Sequence, residues 1–271
     1  MRFEKWQALG NDYVIVEAAS LPFELTPERV RRICDPHFGV GSDGILLLTP
    51  VEDPEHVAEL RIFNPDGSEA ELSGNGAREA VLYLRSAGWT EADEFSVITK
   101  AGPVRPKITG PGEVRMDIGK ARDEGTGTLT SAGREWSYRK LNVGNPQCVV
   151  SAGEEIEDLD LGAIGPGIES NTDLFPDRTN VSFIRLDNST VRARIFERGV
   201  GETLSSGTGA AGAAVGAFLE GAPSPITVRL DGGELTVEIS DELEMTLIGT
   251  AEPTCRGELS NELVRALDRL G

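Results

Sequence analysis

The chain has 271 residues, 39% of them hydrophobic, and 26 Lys and Arg against 45 Asp and Glu leave a formal net charge of −19. That length suits one large or two compact domains, and that charge argues against nucleic acid as a partner, since a phosphate backbone needs clustered cations. Two histidines and three scattered cysteines (Cys34, Cys148, Cys255) give neither a metal-ligand set nor a disulfide framework, so no metal is expected and the thiols read as buried. No apolar run approaches the ~20 residues of a membrane span, and Met1-Arg2-Phe3-Glu4 does not open a signal peptide, so a soluble cytoplasmic protein is expected.

In chain order, "YVIVEA", "ILLLTP" and "ELRIF" read as strands. "GVGSDG" (Gly39 to Gly44) matches the spelling of a dinucleotide loop, but a strand-like segment follows it where that motif needs a helix. Next comes "RIFNPDGSEAELSGNGAREA", Arg61 to Ala80: a strand, a turn at Asp66-Gly67, and a Ser-Gly-Asn-Gly loop. The loop opens a helix, "NGAREAVLYLRSAG", that stops at Gly88. "FSVITK", "EVRMDI", "CVVSA", "VSFIRL" and "VRARIF" continue the strand pattern. A second Ser-Gly loop leads into the helical "TGAAGAAVGAFLEG", which stops at Gly221. "ITVRL", "ELTVEI" and "EMTLIG" are strands again, and "SNELVRALDRLG" closes the chain as a helix. No Walker loop is present, Leu204 spoils a GxSxG elbow, and neither His37 nor His56 sits in a triad-like motif.

The chain repeats itself. Arg61-Ile62-Phe63 returns 133 residues later as Arg194-Ile195-Phe196. In the same register Ser73-Gly74 meets Ser206-Gly207, Gly76-Ala77 meets Gly209-Ala210, and Gly88 meets Gly221. One residue out of that register, Gly10-Asn11 meets Gly144-Asn145. A register held across separated blocks indicates duplication. The expected fold is α+β: two pseudo-symmetric domains, each a curved, mostly antiparallel sheet wrapped around one central helix. Residues 1–117, completed by 257–271, form the first domain and residues 118–256 the second.

Each Ser-Gly loop taken alone is an ordinary helix N-cap. Two at matched places suggest more, because free N–H groups and the macrodipole at a helix start hold an anion without a charged side chain. If the halves face each other across a cleft, both helix ends address one carboxylate, with Ser73 and Ser206 on either side of the neighbouring carbon.

With these residues assembled, the sequence resembles the diaminopimelate epimerase family over nearly its whole length. The matching pieces are "LGNDYVIVE", "CDPHFGVGSDGILLL", "RIFNPDGSEAELSGNGAR", "VGNPQCVV", "FPDRTNVSF", "RIFERGVGETLSSGTGA" and "GTAEP". The resemblance implies a cytoplasmic homodimer acting on a small amino-acid substrate, without cofactor, in the route to lysine and peptidoglycan. LL-diaminopimelate becomes the meso isomer: a thiolate removes the α-proton from one face and a thiol returns one to the other. The α-carboxylate lies between the two helix starts, which stabilise the charge that develops there.

The positions of the two family cysteines are Ser73 and Ser206 here. The histidine of the family's Gly-Asn-Pro-His motif is Gln147, whereas its partner glutamate is present as Glu197. The resemblance assigns the substrate's distal end to Asn64, Asn145, Asn180, Glu197 and Arg198, and the reacting end to Asn11, Gly74, Asn75, Gly207 and Thr208. A serine hydroxyl titrates several units above the ~8.5 of a free thiol, and each unit is worth about 1.36 kcal/mol. A helix dipole worth roughly 0.3–2 kcal/mol does not close that gap, so a bare Ser/Ser site is expected to be slow. Three functions follow: an epimerase whose serines are helped by Glu197 or water, an amino-acid-binding homologue without turnover, or an isomerase using Glu197 and Glu79 as proton carriers. Glu79 otherwise reads as a solvated helix residue. A chain altered only to remove its thiols would have kept the histidine, so Gln147 speaks for native serines.

Overall fold

The computed structural model describes residues 1–270, which divide into two compact units. The first is Met1–Met116 with the chain from Thr250 onward; the second is Asp117–Gly249. The strands of the first are β1 (Arg2–Ala8), β2 (Asn11–Glu17), β3 (Ile45–Pro50), β4 (His56–Phe63), β5 (Glu69–Ala70), β6 (Ser96–Thr99), β7 (Gly102–Val104) and β8 (Lys107–Gly110). β9 (Glu113–Lys120) carries the chain into the second unit. There follow β10 (Arg122–Ser131), β11 (Arg134–Asn142), β12 (Pro146–Ser151), β13 (Asn180–Asp187), β14 (Thr190–Glu197), β15 (Gly201–Thr203), β16 (Ile226–Leu230), β17 (Gly233–Ile239) and β18 (Glu244–Thr250). β19 (Glu252–Glu258) returns to pair with β1. The helices are α1 (Pro27–Cys34), α2 (Gly74–Ser86), α3 (Leu161–Glu169), α4 (Gly207–Leu219) and α5 (Asn261–Asp268).

The duplication is visible in the pairing. The first sheet runs β19-β1-β2-β3-β4-β6-β7, and the second contains the run β10-β11-β12-β13-β14-β16-β17-β18. Within each, one parallel pair precedes the Ser-Gly loop (β2 with β3, β12 with β13), and a second spans the helix that follows it (β4 with β6, β14 with β16). The other pairs within these two runs are antiparallel. The architecture is α+β.

Both faces of the central strands are covered, which is why they read as continuous apolar runs. In the first unit Tyr13, Ile15, Leu46 and Leu48 join the cluster that takes in Ala80, Val81 and Leu84 of α2. Their alternates Val14, Val16, Ile45 and Leu47 join Val30 and Ile33 of α1 and Leu267 of α5. The second unit repeats the plan: Cys148 and Val150 pack with Leu161 and Ile164 of α3, while Gln147 and Val149 lie against α4. α4 is buried along nearly its whole length from Gly209 to Ala217, as an all-round Ala/Gly helix must be. At Gly212 an added Cβ would sit 3.1 Å from Gln147 Cγ, a tight contact that the buried Gln147 side chain would have to shift to relieve.

The helices stop where expected, with Gly88 and Gly221 at φ 78° and 100°. Two helices escaped the sequence reading. α1 starts at a Thr26 cap followed by Pro27, and α3 is disguised by Gly162, Gly165, Pro166 and Gly167. One expectation is corrected: Cys34 and Cys148 are buried, but Cys255 is exposed. It lies on β19, at the edge of its sheet, where neither face is covered from Glu252 to Arg256. Among the described residues no helix is long and apolar enough to cross a membrane.

Candidate active site

In the first unit Ser73 is extended (φ −131°, ψ 122°) and caps α2, its Oγ accepting the Gly76 N–H at 3.1 Å. The Tyr13 hydroxyl donates to the same oxygen at 3.2 Å. Tyr13 reaches it because alternation along β2 turns that ring toward α2, and Gly44 leaves room: a Cβ there would lie 2.6 Å from Tyr13 Cε1.

Asn75, in the first turn of α2, donates to Asn11 Oδ1 at 3.1 Å, and Asn11 donates to Asp43 at 3.0 Å. Asn75 Oδ1 in turn accepts from Arg78 Nη2 at 2.7 Å. Arg78 is fully buried, its other arm donates to the Gly74 carbonyl at 3.1 Å, and burial pushes its pKa down to about 10. Ser73, Gly74, Asn75 and Asn11 therefore form one braced group. Asn64 lies at the end of β4 in a turn, where its amide donates to Ser68 Oγ at 3.0 Å.

Glu79 is not a solvated helix residue. It is fully buried, and among the described residues neither carboxylate oxygen has a hydrogen-bond partner of ordinary geometry. α2 is buried from Asn75 to Leu84, so Arg78 and Glu79 have no water to turn to. Burial first, then the charges of Asp12 and Asp43, push its pKa well above the ordinary 4.5, against the pull of Arg78. A raised carboxyl pKa favours the fold below the unfolded value, and that contribution is lost as pH rises through the folded value. Glu79→Gln is therefore expected to unfold at a higher temperature than wild type at pH 8, by a margin equivalent to about 1–3 kcal/mol, with the gap closing toward pH 4. Thermal melts across that range check it; a gap independent of pH would show that Glu79 has no raised pKa.

In the second unit Ser206 is again extended (φ −145°, ψ 119°) and caps α4, its Oγ accepting the Gly209 N–H at 3.2 Å. Glu197, at the end of β14, accepts from Thr203 Oγ1 at 2.9 Å. Burial raises the Glu197 pKa, while hydrogen bonding from Thr203 and Ser206 pulls it back. Asn180 Oδ1 accepts the Arg198 backbone N–H at 2.9 Å, and the exposed Arg198 guanidinium donates to the Asp177 carbonyl at 2.6 Å. Gln147 donates to Asn145 Oδ1 at 2.6 Å, and Asn145 donates to Thr208 Oγ1 at 3.3 Å, tying β12 to the first turn of α4 beside Gly207. The other end of the buried Gln147 amide, Oε1, has no partner among the described residues.

Each unit thus presents a serine whose oxygen is fixed by a helix N–H and which has a second polar neighbour: a phenol at Ser73, a carboxyl at Ser206. Tyr13 was missed in the sequence, where an aromatic in an alternating strand reads as core. The repeat held the signal, since the register that aligns Asn11 with Asn145 puts Tyr13 opposite Gln147.

The sequence profile of the family described as Diaminopimelate epimerase matches residues 3–123 and 140–254. The chain belongs to the diaminopimelate epimerase family. It is 38% identical over 288 residues to Diaminopimelate epimerase 2 of Nostoc sp., covering 97% of each chain. It is also 38% identical over 280 residues to Diaminopimelate epimerase of Moorella thermoacetica, covering 95% of this chain and 99% of that one. Among solved structures, a predicted epimerase from Pseudomonas aeruginosa aligns with TM-score 0.70 at 16% identity, over 95% of this chain and 98% of its own. A hydroxyproline epimerase from Agrobacterium vitis with bound trans-4-hydroxy-L-proline aligns with TM-score 0.66 at 16% identity, over 95% and 91%. These two likenesses are of fold.

Proposed function

We propose that the chain inverts the α-carbon of diaminopimelate, LL to meso, without a cofactor, and that Ser73 and Ser206 carry protons on opposite faces of that carbon. One observation supports this above the others. Each duplicated unit places a serine in the same extended conformation at the start of its central buried helix, with Oγ fixed by the N–H three residues on. The helix starts supply donors for the α-carboxylate, where negative charge grows as the α-proton leaves. Asn11, Gly74 and Asn75 belong to the reacting end on one side, Gly207 and Thr208 on the other. Glu197 takes the proton that Ser206 sheds, because a carboxyl with a raised pKa is a better proton carrier near neutral pH than an ordinary one. Asn64, Asn145, Asn180, Glu197 and Arg198 hold the distal amino-acid end. The same family likeness supports a cytoplasmic location and a homodimer, the latter tested by light scattering of the purified protein.

The direct test is incubation of purified protein with LL-diaminopimelate and chiral separation of the isomers over time. Appearance of meso isomer, absent from a Ser73→Ala/Ser206→Ala control, supports the proposal; binding with no conversion overturns it. A second reading, an amino-acid-binding homologue without turnover, draws on Gln147: a neutral amide stands where the family has a titratable ring, so that position cannot take up a proton.

Arg198 is assigned to the distal carboxylate, which its planar fork suits. Arg198→Lys is expected to raise the KM for diaminopimelate about tenfold, roughly 1.4 kcal/mol, while the inhibition constant of a monocarboxylic amino acid such as alanine changes little. Equal weakening of both would make Arg198 structural.

A further inference from the structure

The hydrogen bond between Tyr13 and Ser73 gives the two serines opposite polarity. A hydroxyl has two acceptor lone pairs and one hydrogen. Ser73 Oγ accepts from the Gly76 N–H at 3.1 Å and from the Tyr13 hydroxyl at 3.2 Å. Both lone pairs are used, and what Ser73 presents outward is its hydrogen. Among the described residues Ser206 Oγ accepts from the Gly209 N–H alone, at 3.2 Å, and hydrogen bonding from Ser206 helps hold down the raised pKa of the Glu197 carboxyl. One lone pair remains for a proton arriving from elsewhere.

Resting on the function proposed above, we propose that Tyr13 is a positioning residue that makes Ser73 the proton-donating face of the site and refills it from its own phenol, while Ser206 with Glu197 is the accepting face. The steps balance. The α-C–H bond breaks as Ser206 Oγ takes the proton, and its own hydroxyl proton passes to the Glu197 carboxylate. The C–H electron pair goes into the α-carbon and its carboxylate. The Ser73 O–H then delivers its proton to the opposite face of that carbon, forming the new C–H bond, and the Tyr13 O–H proton moves onto Ser73 Oγ to leave a phenolate. Exchange with water returns the proton to Tyr13 and removes the one on Glu197. In the reverse direction the phenolate draws the Ser73 proton as Ser73 takes the α-hydrogen. The ring is held for this by the geometry: Tyr13 is 5% exposed, pairs across β1 with Trp6, and packs against the space left by Gly44.

The experiment is Tyr13→Phe, which keeps the ring and removes the hydroxyl, read by α-hydrogen exchange in D₂O measured separately for LL- and meso-diaminopimelate. Inversion moves the α-hydrogen to the other face, so each epimer reports one serine. Tyr13→Phe is expected to slow exchange from one epimer about a hundredfold, leave the other within about threefold of wild type, and reduce epimerisation with the slower face. Equal slowing of both epimers would show Tyr13 to be structural, and two unchanged rates would show it to be idle; either result overturns the proposal. If Tyr13→Phe does not fold, wild-type protein made with 3-fluorotyrosine gives the same readout. Of the chain's three tyrosines, Tyr83 is bonded to Glu17 and Tyr138 lies on β11, so a change in the ratio of the two exchange rates reports Tyr13. An unchanged ratio overturns the assignment. Failure of the underlying function is distinguishable, because wild-type protein would then exchange neither epimer.

Discussion

Replacing Ser73 and Ser206 together by cysteine is expected to accelerate diaminopimelate epimerisation by about 10²–10⁴-fold, the usual range for a well-matched acid and base. Each oxygen sits at the start of a helix, whose first N–H groups would lower a thiol's pKa. What the serines lack is acidity, several pKa units at about 1.36 kcal/mol each, and that deficit is removed without moving the backbone. The same exchange removes two helix caps, each contributing roughly 0.5–2 kcal/mol, so the faster variant should also be the less stable one. A single replacement should help less, because inversion needs a donor and an acceptor on opposite faces. Gln147→His added to the double variant should give a further gain only if the ring fits the buried space against Gly212. The assay is loss of the LL isomer with time, accompanied by thermal melts, with the double-alanine protein as control. A double-cysteine protein no faster than that control would mean that acidity is not what limits the site.

Glu197→Gln is the second large effect. The change keeps size and the Thr203 contact while removing the carboxylate whose pKa Ser206 helps to hold down. Epimerisation should fall by about 10²-fold or more, in kcat because the lost group acts as the proton moves and in KM because it also holds the distal end. The pH dependence gives the sign. Wild-type kcat/KM should rise with pH through the Glu197 pKa, since the charged form is the acceptor, and burial places that rise above the ordinary 4.5. In Glu197→Gln that acid limb should vanish, leaving a low and flatter profile. A variant that keeps both its rate and its acid limb would remove Glu197 from the proton path.

The parts of the fold legible in the sequence were those with one dominant physical signal. Glycine at positive φ ends α2 and α4, and serine caps open them, so both central helices could be bounded from local chemistry alone. The β10–β11 ribbon was not legible, because from Arg122 to Gly127 its side chains face solvent almost throughout and no apolar alternation builds up. At the candidate site, the serines and the asparagines near them came from repeat and family pattern. Tyr13 came only from structure, as did the burial of Glu79, which the sequence offered as a proton carrier or a solvated helix residue. A glutamate on a helix reads as solvated until the helix is found buried between strands, and a tyrosine in "YVIV" reads as core until its hydroxyl is seen to end on Ser73.

The central claim, that two serines move two different protons, is tested most directly by the early time course of epimerisation by wild-type protein in D₂O. Mass spectrometry of the separated isomers follows deuterium in product and in remaining substrate. Two carriers on opposite faces deliver a solvent-derived deuteron while keeping the substrate's own proton apart. The product formed first should therefore be fully labelled at the inverted carbon while the remaining substrate is still unlabelled. Product that retains the substrate's hydrogen, or substrate that gains label as fast as product forms, would mean that a single group serves both faces and would contradict the account.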